Sequence, residues 1–207
     1  MPRVTGGSLE AHRRDATARV FEAFARLMYE RGYDAITLAD IAEAAGMART
    51  SMYNYYSSKE ALLVAYTDAE MAQFVDELRV ELHRADGAIA RLQIFVRRQL
   101  EYFATHHLPP GSALRDVLSD DAFRSIFEHA RTLDEIIRSI LEEGAVDGSF
   151  PREIVDDPDT VPLVMSCVSA RRVAPGADGD LETTIEATVR FVLRAVGVSG
   201  RVSPSPS

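Results

Sequence analysis

The sequence holds one cysteine, Cys167, and one lysine, Lys59. A lone thiol cannot close an internal disulfide or build a cysteine-based zinc site. No run of about 18 uncharged apolar residues occurs, so no membrane span is expected. The opening residues Met1 to Ser8 lack the apolar stretch of a signal peptide, and a reducing cytoplasm is the expected compartment. β-Hairpin signals are missing too. No phosphate-cradling glycine loop, paired-carboxylate signature or Ser-His-Asp arrangement emerges, so neither an enzyme nor a cofactor is expected. His83, His106, His107 and His129 show no HxxxH spacing, and no metal site is expected.

What is present is a chain of 207 residues, 46% hydrophobic and 27% charged, with a formal charge of −9. That length allows one domain or two small ones. Averaged over the chain, the acidity argues against a nucleic-acid partner. Its distribution does not. Residues 1–66 carry eight basic and eight acidic side chains, and the remainder carries 15 basic against 24 acidic. The N-terminal segment is neutral and free to meet DNA.

Apolar residues recur at three- and four-residue steps nearly throughout, which predicts an all-α fold of about nine helices. The first helix spans about Glu10 to Arg31 and stops at Gly32. Thr37 and Asp40 form a capping box for a short helix, Leu38 to Ala45, ended by Gly46. A third helix covers Arg49 to Tyr55. Ser57 and Glu60 repeat the capping pattern and open a long helix to about Arg84. A fifth helix, Ala88 to His106, carries Ile89, Leu92, Val96, Leu100 and Phe103 on one stripe. A short sixth helix is expected at Ala113 to Leu118, after the break at Pro109-Pro110-Gly111. The seventh bears Phe123, Ile126, Ala130, Leu133, Ile137 and Ile140, and Gly144 to Pro151 reads as a turn. Asp157-Pro158 opens the eighth helix, to about Arg172, and the ninth spans Leu181 to Val196. Residues 1–9 and the Ser-Pro tail at 199–207 read as disordered.

Two short helices meeting at Gly46 have helix-turn-helix spacing. Ile41, Ala45 and Met52 face inward in this register. Arg49, Thr50, Ser51, Tyr53 and Asn54 face outward at the start of the second helix, where they offer donors and acceptors suited to bases and phosphates. Pattern alone leaves a second reading open, an αα-hairpin whose polar face is merely solvated.

Residues 13–66 resemble the DNA-binding domain of the TetR family of transcriptional regulators. The resemblance rests on Gly32-Tyr33-Asp34, on Ile41-Ala42-Glu43-Ala44-Ala45-Gly46, and on Tyr53-Asn54-Tyr55-Tyr56-Ser57-Ser58-Lys59-Glu60-Ala61-Leu62. It implies that Arg49, Thr50, Tyr53 and Asn54 face the major groove, and that Thr37, Ser51, Tyr55 and Lys59 hold phosphates. With Ser57 as N-cap, Lys59 sits at the second helical position, where its ammonium and the free amides would face one anion. Arg49 suits bidentate guanine readout, with a plain phosphate contact as the alternative. Tyr53 is either outward or half-buried against the first helix. Ala48 stands where the family often has Ser or Thr, which forgoes a cap worth about 1 kcal/mol.

The resemblance divides the chain into a helix-turn-helix DNA-binding domain at 10–58 and a helical-bundle ligand-binding and dimerisation domain at 59–198. It implies a homodimer through the eighth and ninth helices. Leu163, Val164, Cys167 and Val168, with Val189, Val192 and Val196, supply apolar surface for it, or else form intrachain core. Phe74, Phe95, Gln99, Phe103, Phe127 and Met165 are candidate liners of an effector pocket. The expected function is a sequence-specific regulator, a ligand-released repressor on a palindromic double-stranded operator, with an unknown small-molecule effector. The alternative is a helical sensor that has lost specific DNA binding.

Overall fold

The computed structural model describes residues 6–105, 115, 118–169 and 180–198. Every regular element among them is a helix. In chain order these are α1 (Gly6–Arg31), α2 (Leu38–Ala44), α3 (Arg49–Tyr55), α4 (Lys59–Arg84), α5 (Gly87–Thr105), α6 (Asp120–Asp147), α7 (Arg152–Val155), α8 (Thr160–Ser169) and α9 (Leu181–Ala195). They fold as two compact units. The first draws on Met1–Ala69 and His107–Ile126, the second on Glu70–His106 and Phe127–Ser207.

The first unit closes around a core of Val20, Phe24 and Leu27 from α1, Ile36 and Ile41 around α2, and Met52 from α3. Leu62, Leu63 and Tyr66 of α4 complete it, so the core reaches beyond residue 58. Phe24 meets Tyr66 edge-on at 5.3 Å, one of the favoured aromatic geometries. Leu118 is buried in the same core, and Phe123 packs against it.

The second unit is a helical bundle in which α9 lies along α5 and α8 packs against both. Leu92, Phe95, Val96 and Leu100 of α5 are buried, as are Leu133, Ile137 and Ile140 of α6. The α5 stripe is therefore centred on Phe95 rather than Phe103, which is exposed.

Several helix ends depart from the sequence expectation. α1 begins at Gly6, ahead of Glu10. α6 runs through Gly144 to Asp147, where a turn was expected. Phe150 explains this, because its ring folds back against the helix at Gly144, where a Cβ would overlap it, and its N–H donates to the Gly144 carbonyl at 3.0 Å. A glycine inside this helix signals close packing, not a stop. The one-turn α7 was not foreseen. α8 starts at Thr160, because the Asp157 carboxylate accepts the Asp159 N–H at 2.9 Å in an Asx turn. The expected sixth helix, the Pro109-Pro110-Gly111 break, His106 and His107, and the tail from 199 lie outside the described residues.

Candidate nucleic-acid interface and ligand cavity

The α2–α3 hairpin is fixed by backbone chemistry. Gly46 takes φ +64°, a left-handed value that favours glycine. The turn lets the Met47 N–H reach the Ala42 carbonyl at 2.8 Å and the Gly46 N–H reach Glu43 at 3.1 Å. Met52, fully buried, then pins α3 to the core. Burial of that one side chain decides which face of a seven-residue helix remains outside. Arg49 and Tyr53 lie one turn apart on that face, as do Thr50 and Asn54, and all four are exposed. Tyr53 is 47% exposed, which settles it as outward rather than packed on α1. Ser51 and Tyr55 flank the face, half-buried, and the Arg13 guanidinium stands 5.9 Å from the Tyr55 ring centre. Ala48 occupies the N-cap of α3 and supplies no side-chain cap.

Thr37 and Lys59 are engaged differently from the sequence expectation. Thr37 caps α2 in a full capping box. Its hydroxyl donates to Asp40 Oδ2 at 2.6 Å, and its N–H donates to the same oxygen at 2.8 Å. A hydroxyl has one hydrogen, so this one has none left for a phosphate. The two bonds hold the Asp40 carboxyl below the usual aspartate range. The α4 cap is Ser58, whose Oγ accepts from the Ala61 N–H at 3.0 Å; Ser57 does not fill this role. Lys59 is consequently the first helical residue. Its Nζ donates to the Tyr33 carbonyl at 2.7 Å and to the Ile36 carbonyl at 2.9 Å, and it sits 4.2 Å from the Tyr33 ring centre. Burial, followed by the charge of Glu60, pushes the Tyr33 phenol up to about 12, so the ring is neutral beside the ammonium. Lys59 thus clamps the α1–α2 loop and keeps one N–H for any other acceptor. Glu60 turns away from the expected box as well. Its carboxylate accepts the Ser119 N–H at 2.7 Å, and these Ser119 hydrogen bonds lower its pKa.

Residues 15–66 match the family model described as bacterial regulatory proteins, tetR family. That segment is a TetR-family DNA-binding domain. The chain that carries it is a DNA-binding transcriptional regulator of the helix-turn-helix type. It is 29% identical to the HTH-type transcriptional repressor KstR2 of Rhodococcus jostii, over 63% of this chain and 65% of that protein. It is 26% identical to the HTH-type transcriptional regulator MT1294 of Mycobacterium tuberculosis, over 82% of this chain and 97% of that one. Its fold is similar to that of the regulator FadR from Bacillus subtilis, solved with stearoyl-CoA. The TM-score is 0.68 at 19% identity, covering 86% of this chain and 98% of that chain.

The regulator's second unit contains a cavity of about 410 Å³ lined by Glu70, Gln73, Phe74 and Glu77 of α4, Arg98, Glu101, Tyr102 and Thr105 of α5, and Leu181 of α9. Of the expected liners among the described residues, only Phe74 borders it. Phe95 is fully buried core, Phe103 is 38% exposed and Met165 is half-buried. The Phe127 side chain lies outside the described residues. Gln99 is 1% exposed, and neither amide atom has a hydrogen-bond partner among the described residues. The charged liners and Tyr102 escaped sequence reasoning, which sought apolar residues near the α5 stripe. Their signal was the i, i+3, i+4 spacing of Arg98, Glu101 and Tyr102 on one helix face.

The expected dimer residues also divide. Val164, Val168, Val189, Val192 and Val196 are buried within the chain, because α8 and α9 pack against α5 and each other. Leu163 and Phe191 are exposed at 64% and 60%, and Cys167 is half-buried. Among the described residues no group of three His, Cys, Asp or Glu could hold a metal, and no helix is long and apolar enough to cross a membrane.

Proposed function

We propose that this regulator is a homodimeric, ligand-released repressor acting in the cytoplasm on a near-palindromic operator. Within it, 10–58 would form the DNA-reading domain and 59–198 the ligand-binding and dimerisation domain. The observation that carries the DNA reading is the exposed α3 face of Arg49, Thr50, Tyr53 and Asn54, held outward by buried Met52. In this reading these four residues meet base edges. Ser51, Tyr55 and the remaining N–H of Lys59 meet phosphates. Two copies would place their α3 helices in successive major grooves about 34–36 Å apart. Leu163, Cys167 and Phe191 are the side chains of α8 and α9 left for a second copy. An effector would shift the equilibrium by its difference in affinity between the DNA-competent arrangement and the other. The cavity between α4, α5 and α9 supports a ligand. Acyl-CoA enters as one effector class through the FadR complex.

A titration against the DNA upstream of its own gene and against scrambled DNA tests the reading. We expect a specific complex with a ratio of two chains per inverted repeat. Equal affinity for both DNAs would instead favour a sensor of this fold without specific binding.

A further inference from the structure

A stripe of three side chains on α1, each one turn from the next, registers that helix against the end of α3. They are Arg13, Thr17 and Phe21. The Phe21 ring stands 6.3 Å from that of Tyr56 and meets the Tyr66 ring edge-on at 5.5 Å. The Thr17 side chain is hydrogen-bonded to the buried Tyr56 phenol. Arg13 continues the stripe toward solvent, and its guanidinium lies over the Tyr55 ring, 5.9 Å from its centre. The packing of α1 on the end of α3 therefore sets where this guanidinium stands. Tyr55 flanks the exposed α3 face of Arg49 and Tyr53, so Arg13 is at the rim of that face. A guanidinium over an aromatic ring is attracted to the ring face, while the N–H donors along its edge stay open. Arg13 is exposed, and among the described residues no carboxylate pairs with it.

We propose that Arg13 is a DNA-backbone anchor, which binds a phosphate on the wall of the groove that α3 enters. The inference deepens the DNA reading above and rests on it for the orientation of α3. The middle of the α3 face meets base edges, and its rim meets the sugar-phosphate walls. A phosphate contact carries no sequence information and fixes the register of the protein on the duplex. Residues 1–66 are neutral overall, so attraction to a polyanion depends on cations placed at this face. Arg13 adds one beside Arg49.

Titrations of the full chain over a salt series, against the DNA upstream of its own gene and against scrambled DNA, test the anchor. Arg13→Ala should weaken both complexes by a similar factor, about tenfold per bound chain at low salt. It should also make the dependence of log affinity on log salt shallower by about 0.9 per bound chain. Arg13→Lys keeps the charge and should keep the slope. Arg26→Ala removes the same charge from α1 about 20 Å further along the helix and should change neither quantity. An unchanged slope in Arg13→Ala overturns the proposal, and a fall in thermal midpoint beside it would make the residue merely structural. Equal losses in Arg26→Ala overturn it too, as does a loss confined to the upstream DNA, which would make Arg13 a base reader. If the unsubstituted chain binds both DNAs equally, the operator reading fails while the anchor is still read from the slopes. No binding to either DNA overturns both.

Discussion

The arginines of the N-terminal segment up to Ala69 and those of the second unit differ in their pairing. Among the described residues up to Ala69 no arginine joins an ion pair, and Arg49 on α3 is exposed with no partner. In the second unit Arg91 pairs with Glu143, Arg97 with Glu182, Arg98 with Glu77, Glu81 and Glu101, and Arg190 with Glu186. The net charges of 0 over 1–66 and −9 over the rest are therefore only part of the contrast. A guanidinium already bonded to carboxylates must break those bonds to reach a phosphate. An unpaired one needs only to exchange water and counterions. A neutral segment can thus offer more usable positive charge than its total implies. The acidic unit offers less than its arginine count implies.

Paired substitutions test this comparison most strongly. Arg49→Ala should weaken operator binding by roughly 1–3 kcal/mol if the guanidinium reads a base, and relax preference at one position. Arg97→Ala removes the same charge from the second unit and should leave operator affinity within about twofold, because Glu182 already holds that guanidinium. Equal losses in a binding titration would mean that net charge, not availability, governs affinity.

Lys59 sharpens the comparison from the other side, since it is a cation of the first unit that is already engaged. Lys59→Ala should lower the thermal or urea stability of the fold by about 2 kcal/mol, because two charge-assisted bonds to the Tyr33 and Ile36 carbonyls are lost. Any loss of DNA binding should be similar for operator and scrambled sequences. Unchanged stability with weakened DNA binding would restore a pure phosphate contact.

The helix-turn-helix was legible because each of its signals is local. A capping box, a glycine turn and one inward methionine fix the geometry within a few residues. Lys59 was misread by one position of the cap. With Ser58 rather than Ser57 as N-cap, the side chain points along the helix end to the α1–α2 loop, a contact 26 residues distant in sequence. The second unit was legible as helices and not as a site. Val164, Val189 and their neighbours have the same apolar pattern whether they face α5 or another chain. Gly144 reads as a stop until the ring of Phe150 is placed over it. The cavity's glutamates look like solvated helix surface until the elements that share Arg98 are brought together.

The smallest expected effects concern the caps of the two helices of the motif. α2 has a full capping box, whereas α3 has Ala48 and no side-chain cap. Thr37→Ala should therefore destabilise by about 1 kcal/mol, and Ala48→Ser should stabilise by a comparable or smaller amount. Asp40 ties the first of these to pH. Its folded pKa lies below the usual range, with the Thr37 hydroxyl bond as the largest cause and the Thr37 N–H bond as the next. The stabilisation linked to that depression is present above the unfolded-state pKa and fades as pH falls through the folded one. The penalty of Thr37→Ala should accordingly shrink on acidification below the ordinary aspartate range. It should be constant at neutral pH. Urea midpoints of both chains across that acid window measure this. A penalty that stays constant through the window would assign the effect to helix entropy rather than to the Thr37–Asp40 bond.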